Sequence, residues 1–273
     1  MIPNRIAPHA QRNPQLIACA RTPGEGNHAW LERMRRQLKG HCNHESAIVL
    51  LGGNSVTHFR ARVAQSQTRH DLKPSFWSHV MLMTPGDSTP NSTPELWQVA
   101  LAEVQQGDTW LEHNGINKAP ASTFDDPQHY PNAAYIALPG ACSKDLSAAL
   151  DHVRQSRLEH DLIAPCVAWL GYLWGVKDYH NPLTQGIAFP AALFVEAVLT
   201  QTGFDVSPGM AERSVCPEAI WQGALWWRDY YQVNLAPGDD TEETTDALCP
   251  PPQGAYVLDQ PAAAVIDHDK NDA

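Results

Sequence analysis

The sequence predicts an α+β fold, and three observations carry that expectation. In the middle third, short apolar runs of β-forming residues alternate with turn residues and read as a meander of strands. From about residue 143 onward the apolar positions fall at helical spacing instead, and residues 191–202 are apolar on nearly every side. No internal repeat appears, and strands followed by helices belong to the α+β class. At 273 residues and 43% apolar content, the chain is long enough for one large domain or two small ones with a sizeable core.

The first element is a short basic amphipathic helix over Ala29–Leu38, read with residues 1–45 as an N-terminal extension. Ala47–Leu51 is a β-type run that ends in the turn Gly52-Gly53, and Thr57–Ser66 can be helical. Trp77–Met83 is a second strand bounded by Pro74 and by Thr84-Pro85-Gly86, and it carries one titratable side chain, His79. Leu96–Val104 continues as apolar structure, Thr109–Glu112 precedes an Asn114-Gly115 turn, and Ala133–Leu138 is a further strand. Asp145–Glu159 is expected as a helix with Ser143 as N-cap, and Pro165–Trp174 as a second, very apolar one. Ala191–Thr202 reads as a buried central helix closed by Gly203, and Cys216–Trp221 starts a short one ahead of the aromatic run Trp226–Tyr231. A folded domain is therefore expected over 46–235, and an acidic, disordered tail over 236–273.

Nineteen Lys and Arg against thirty Asp and Glu give a formal charge of -11, which argues against nucleic acid or an anionic membrane surface as partner. No basic segment followed by an apolar one opens the chain, so cytoplasmic synthesis is expected. The six cysteines form no CxxC pair, and reduced, structural thiols are the expectation. Gly40-His41-Cys42-Asn43-His44-Glu45 crowds metal-ligand types together but has no second cluster at ligand spacing, so neither a metal nor another cofactor is expected. The aromatics Trp169, Tyr172, Trp174, Trp226, Trp227, Tyr230 and Tyr231 read as core, with a cleft lining or partner surface as the alternative.

The run Ile48–Ser55, then Phe59-Arg60-Ala61-Arg62, then Trp77-Ser78-His79-Val80 resembles the opening of the circularly permuted NlpC/P60 hydrolases. This is the papain-like group that includes the YiiX-type and lecithin:retinol acyltransferase-like proteins. The resemblance covers about residues 46–225 and implies a permuted papain-like fold, an antiparallel sheet packed on a buried nucleophile helix. It makes His79 the catalytic base. The run Trp110–Gly115 resembles the element that orients the imidazole, with Glu112 as first choice and His113 as second. A carboxylate on one ring nitrogen would fix the tautomer and stabilise the imidazolium. Gly52, Gly53, Asn54, Trp77 and Ser78 would line the substrate.

Permutation places the nucleophile late, at the amino end of a helix that ends in Gly, and Phe189–Phe204 matches that helix. The cysteine's place is taken by Ala191, with Ala192 beside it as next choice and substrate contact. A methyl group cannot attack a carbonyl, so the alanine reads as either a natural loss or a deliberate Cys-to-Ala replacement. Cys166 also stands near a helix start, but its apolar segment suits an inert thiol. Cys216-Pro217-Glu218 shares only the form of a downstream helix start in the family.

The resemblance implies a cysteine-dependent hydrolase or acyltransferase acting on an amide, ester or thioester, with a small acyl, lipid or cell-wall peptide substrate. An antibacterial effector, delivered to another cell by a dedicated secretion system, is the setting it suggests. The alternative is a non-catalytic binding module that keeps the cleft. A further reading is an interaction protein that uses the C-terminal aromatics or the acidic tail to bind a protein partner.

Overall fold

The structure, a computed structural model, describes residues 21–39, 44–86, 93–101, 109–138, 141–207, 209–234 and 255–257. Its centre is an antiparallel sheet formed by β1 (Ala47–Gly52), β2 (His79–Thr84), β3 (Glu95–Val99), β4 (Ile116–Ala119), β5 (Asn132–Ala137) and β6 (Ala255–Val257). The spatial order is β4-β3-β2-β1-β5-β6. The first four strands form a meander, with β4 at Ile116–Ala119, where the sequence suggested no strand, and β5 returns on the free side of β1. The register places Leu50 opposite Val80 and Leu51 opposite His79 on one side of β1, and Leu50 opposite Ala134 on the other.

Every residue of β1, β2 and β5 is buried. The strands therefore read as continuous apolar runs rather than as an apolar-polar alternation, because both faces of the sheet are covered. One face carries Ile48, Leu50, Val80, Leu82, Trp97, Val99 and Ile136 into the larger core. The other carries Val49, Leu51, Met81, Met83, Leu96 and Tyr135 into a second core.

The larger core is closed by helices. On the other face, α1 (Asn27–Lys39) covers the second core. The chain then forms α2 (Val56–Ala64), a four-residue helical turn α3 (Thr109–Glu112), α4 (Ser143–Gln155), α5 (Ile163–Leu173), α6 (Pro190–Gln201) and α7 (Pro217–Asn234). α6 packs against β2, β3 and α4, and it buries Ala191, Ala192, Phe194, Val195, Val198 and Leu199. Such an all-round apolar helix is stable only inside a core. Gly203, at φ +84, turns the chain out just beyond it, as a glycine past a helix end commonly does.

Four expectations need correction. The N-terminal helix is not an extension: Trp30, Leu31, Met34 and Leu38 are buried in the second core, so α1 is a layer of the same body and no boundary falls at residue 45. Asn27 Nδ2 donates to the carbonyls of Phe124 and Tyr130 (2.7 and 3.1 Å), which ties its start to the segment before β5. Within 236–273, read as a disordered tail, residues 255–257 form β6 against β5; the remaining residues of the tail lie outside the described ones. Cys142, not Ser143, occupies the N-cap of α4. The short helix expected after Cys216 runs to Asn234.

The start of α7 rests on a buried carboxylate. Glu218, fully buried, accepts from Ser75 Oγ (2.6 Å), Gln222 Nε2 (2.7 Å) and an Arg69 guanidinium nitrogen (3.4 Å). Its backbone N–H donates to Gln65 Oε1 (2.9 Å), and Gln65 Nε2 donates in turn to the Ala61 and Trp77 carbonyls. An acid in the first turn of a helix is favoured by the helix dipole, and its desolvation is offset here by three donors.

Candidate functional site

β1 ends at the double glycine, and its geometry explains both residues. A Cβ on Gly52 would lie 1.9 Å from the Phe76 carbonyl oxygen, and one on Gly53 would lie 1.8 Å from His58 Nδ1. These glycines let a neighbouring backbone and the His58 ring approach closely, which only a residue without Cβ permits. Gly53 N–H donates to Ser78 Oγ (2.9 Å). Asn54 is turned outward and tied to the 128–129 backbone, with Nδ2 donating to the Gln128 carbonyl at 2.6 Å and N–H to the His129 carbonyl at 3.2 Å. Ser55 then caps α2 by accepting from His58 N–H.

This turn closes one pole of the sheet around a cluster of rings. His79, at the start of β2, is 8% exposed and stacks on Phe124 with ring centroids 5.6 Å apart. Phe124 meets Tyr130 edge-on (5.4 Å), and Tyr130 touches both His58 (5.2 Å) and His129 (4.8 Å). His79 Nε2 lies 2.6 Å from Gln98 Oε1; an amide oxygen only accepts, so Nε2 carries the proton and donates it. Burial pushes the His79 pKa down to about 4 against the opposing pull of Gln98. Burial likewise pushes His58 down to about 3, helped by the nearby imidazoles of His79 and His129 and by Arg62. Both rings are neutral at pH 7, and His58 Nδ1 is buried with no hydrogen-bond partner among the described residues.

Phe124 also forms part of a small cleft between α1 and the sheet. Asn27, His28, Leu31 and Glu32 line it from the helix, and Met83, Pro94 and Leu96 from the sheet. It is shallow and open to solvent, with enclosed space of only about 20 Å³, room for about one water. Its walls are mostly apolar, and it forms a surface depression rather than an enclosed pocket. Asn27 is fully buried and its Oδ1 has no hydrogen-bond partner among the described residues, which leaves an acceptor unsatisfied in the side chain that anchors the helix start.

The residues expected to form a triad do not meet. His79 is paired with Leu51 across β1 and β2, and Leu51 belongs to the core under α1. Directly opposed residues of an antiparallel pair share a face. Ala191 and Ala192, at 0% exposure, belong to the core on the other face, beneath α6. The sheet therefore stands between the base and the expected nucleophile position. Glu112 is an exposed residue of the α3 turn and not part of a strand, and His113 follows it; the partner of His79 is Gln98.

Of the expected substrate contacts, Trp77 is fully buried against Trp221 (centroids 5.3 Å), and Ser78 serves the Gly53 backbone. Gly52, Gly53 and Asn54 are likewise occupied by the packing of the turn. Cys166 and Cys216 are buried, and burial pushes both thiols up to about 12. His44 bonds the Tyr135 hydroxyl (2.9 Å), while His41 and Cys42 lie outside the described residues. Trp169 packs in the core on Phe189, Trp174 and Trp226 are exposed, and the side chains of Trp227, Tyr230 and Tyr231 lie outside the described ones.

His58, Gln98 and Phe124 were missed as members of this pole. A signal existed for Gln98, a polar residue inside the otherwise apolar run Leu96–Val99, placed diagonally to His79 once the register is known. Among the described residues no helix is long and apolar enough to cross a membrane. Comparison of the chain with protein-family models, with curated proteins and with solved structures finds no match in any of the three.

Proposed function

We propose that the chain is a non-catalytic binding module on a scaffold of the permuted papain-like type. Its ligand is a neutral apolar group, of acyl or peptide chemistry, laid against the open apolar depression between α1 and the sheet. The observation that carries this reading is the placement of Ala191 and His79 on opposite faces of the sheet. A cysteine at 191 would be a thiol in a dry core, where burial raises the pKa as it does for Cys166 and Cys216. An imidazole held near 4 and oriented by an uncharged amide is also a poor match to a base that works near neutral pH. The cleft offers aliphatic and aromatic walls, with His28 and Glu32 supplying polar groups.

The test uses the full chain and its Ala191→Cys variant. Both are assayed for hydrolysis of 4-nitrophenyl butyrate, and both are titrated with a neutral dansyl amide of a short fatty acid, followed by fluorescence. Neither protein should turn over the ester above the buffer rate. The dansyl probe should bind both, and Leu31→Trp, which fills the cleft, should weaken binding at least tenfold. Turnover by Ala191→Cys that disappears with His79→Ala would overturn the proposal in favour of a thiol hydrolase.

A further inference from the structure

The geometry points to a second site, a surface site for a divalent metal ion of the zinc class, formed by His152, Glu159 and His160 where α4 ends. It lies in the helical layer and is independent of the ligand cleft. One ligand atom from each of the three side chains falls within 4.8 Å of the others. Two imidazoles and a carboxylate are a donor set suited to borderline divalent ions. His152 Nε2 and Glu159 Oε2 are 3.0 Å apart, close to the roughly 3.3 Å that separates two ligands on one tetrahedral zinc ion. Three protein ligands leave a fourth position for water, in keeping with the exposure of His152 and Glu159.

The backbone beneath the site is fixed. Ser156 O accepts from the N–H groups of Glu159 (3.1 Å) and His160 (2.9 Å), which folds the turn directly onto the helix end. Buried Asn114 clamps both sides of it: Nδ2 donates to the Val153 carbonyl (3.2 Å) and to that of His160, and Oδ1 accepts from Leu162 N–H (3.2 Å). Asn114 holds this position in a left-handed conformation, φ +53.

Neighbouring groups suit metal binding. Ser156 Oγ lies 3.3 Å from His152 Nδ1, where accepting the Nδ1 proton leaves the Nε2 lone pair for the metal. Gln201 Nε2, at the end of α6, lies 3.2 Å from His160 Nε2 and donates to it, so a metal that takes His160 through this nitrogen displaces the amide. The nearby cations are engaged with their own carboxylates, Arg154 with Asp151 and Arg157 with Asp161. An exposed His–Glu pair alone contributes little to stability, so it does not account for a second imidazole converging on it.

The test is a zinc titration of the full chain at pH 7.5 against a chromophoric competing chelator, repeated with His152→Ala, Glu159→Gln and His160→Ala. Wild type should bind zinc, and each variant should bind at least tenfold more weakly. Zinc should raise the melting temperature of wild type and not of the variants. All three side chains reach the surface, and metal-free melting temperatures within a degree or two of wild type verify folding. Equal zinc affinity in wild type and variants, or no binding by wild type, overturns the inference.

Discussion

At pH 7 the imidazoles of His58 and His79 are uncharged inside the fold, and acid must force protons onto rings that burial keeps neutral. The folded pKa values, about 3 and about 4, lie below the ordinary 6.5. Between those limits the unfolded chain binds protons that the folded chain refuses. Stability is therefore full above about pH 6.5 and falls as pH drops toward 4 and then 3. For His79 the loss reaches about 2 kcal/mol by pH 5. Urea unfolding at pH 7 and pH 5 should show this loss, and the double variant His79→Leu/Gln98→Leu, which removes both members of the pair, should show a smaller one. A second prediction concerns the double glycine. Gly53→Ala drives a methyl group into the His58 ring and should destabilise by about 1–3 kcal/mol. Adding His58→Ala should recover part of that loss, and a urea-melt double-mutant cycle reads the coupling.

At the scale of elements, α1 and α7 carry contributions that their positions in the chain conceal. Trp30 is fully buried between α1 and the sheet, so Trp30→Ala should cost about 3–5 kcal/mol, measured by denaturant unfolding; a mere extension would lose almost nothing. Glu218→Ala removes the acceptor on which Ser75, Gln222 and Arg69 converge, and should cost about 3 kcal/mol or more in the same measurement. The strands and helices themselves were largely legible. Ala47–Leu51 and Trp77–Met83 announce themselves by β-branched and apolar runs between turn residues, and the helix before Gly203 by its apolar periphery. What each element packs against was not legible. The amphipathic pattern of Ala29–Leu38 shows that a face must be buried, and nothing local says that the burying surface is a sheet formed by residues 47–137. Glu218 likewise reads as an ordinary first-turn acid until the 65–77 segment folds over it.

For the molecule as a whole, the arrangement of layers decides the chemistry. A sheet buried on both faces has two interiors, and the parity of each strand decides which interior a side chain joins. His79 was legible as an unusual histidine in an apolar strand, and Ala191 as the head of a buried helix. Their relation depends on parity across β1 and β2 and on which face α6 covers, neither of which a linear pattern specifies. The separation of position 191 from His79 is therefore what rules out a thiol-imidazole pair. Alkylation of the Ala191→Cys variant by iodoacetamide from pH 5 to pH 9, with the modified residue located by mass spectrometry, tests it most directly. The thiol introduced at position 191 should react more slowly than exposed Cys142 at every pH, with no change when His79→Ala is added. Rapid labelling of position 191 at pH 5–6 that is lost with His79→Ala would reveal a thiolate-imidazolium pair and contradict the separation.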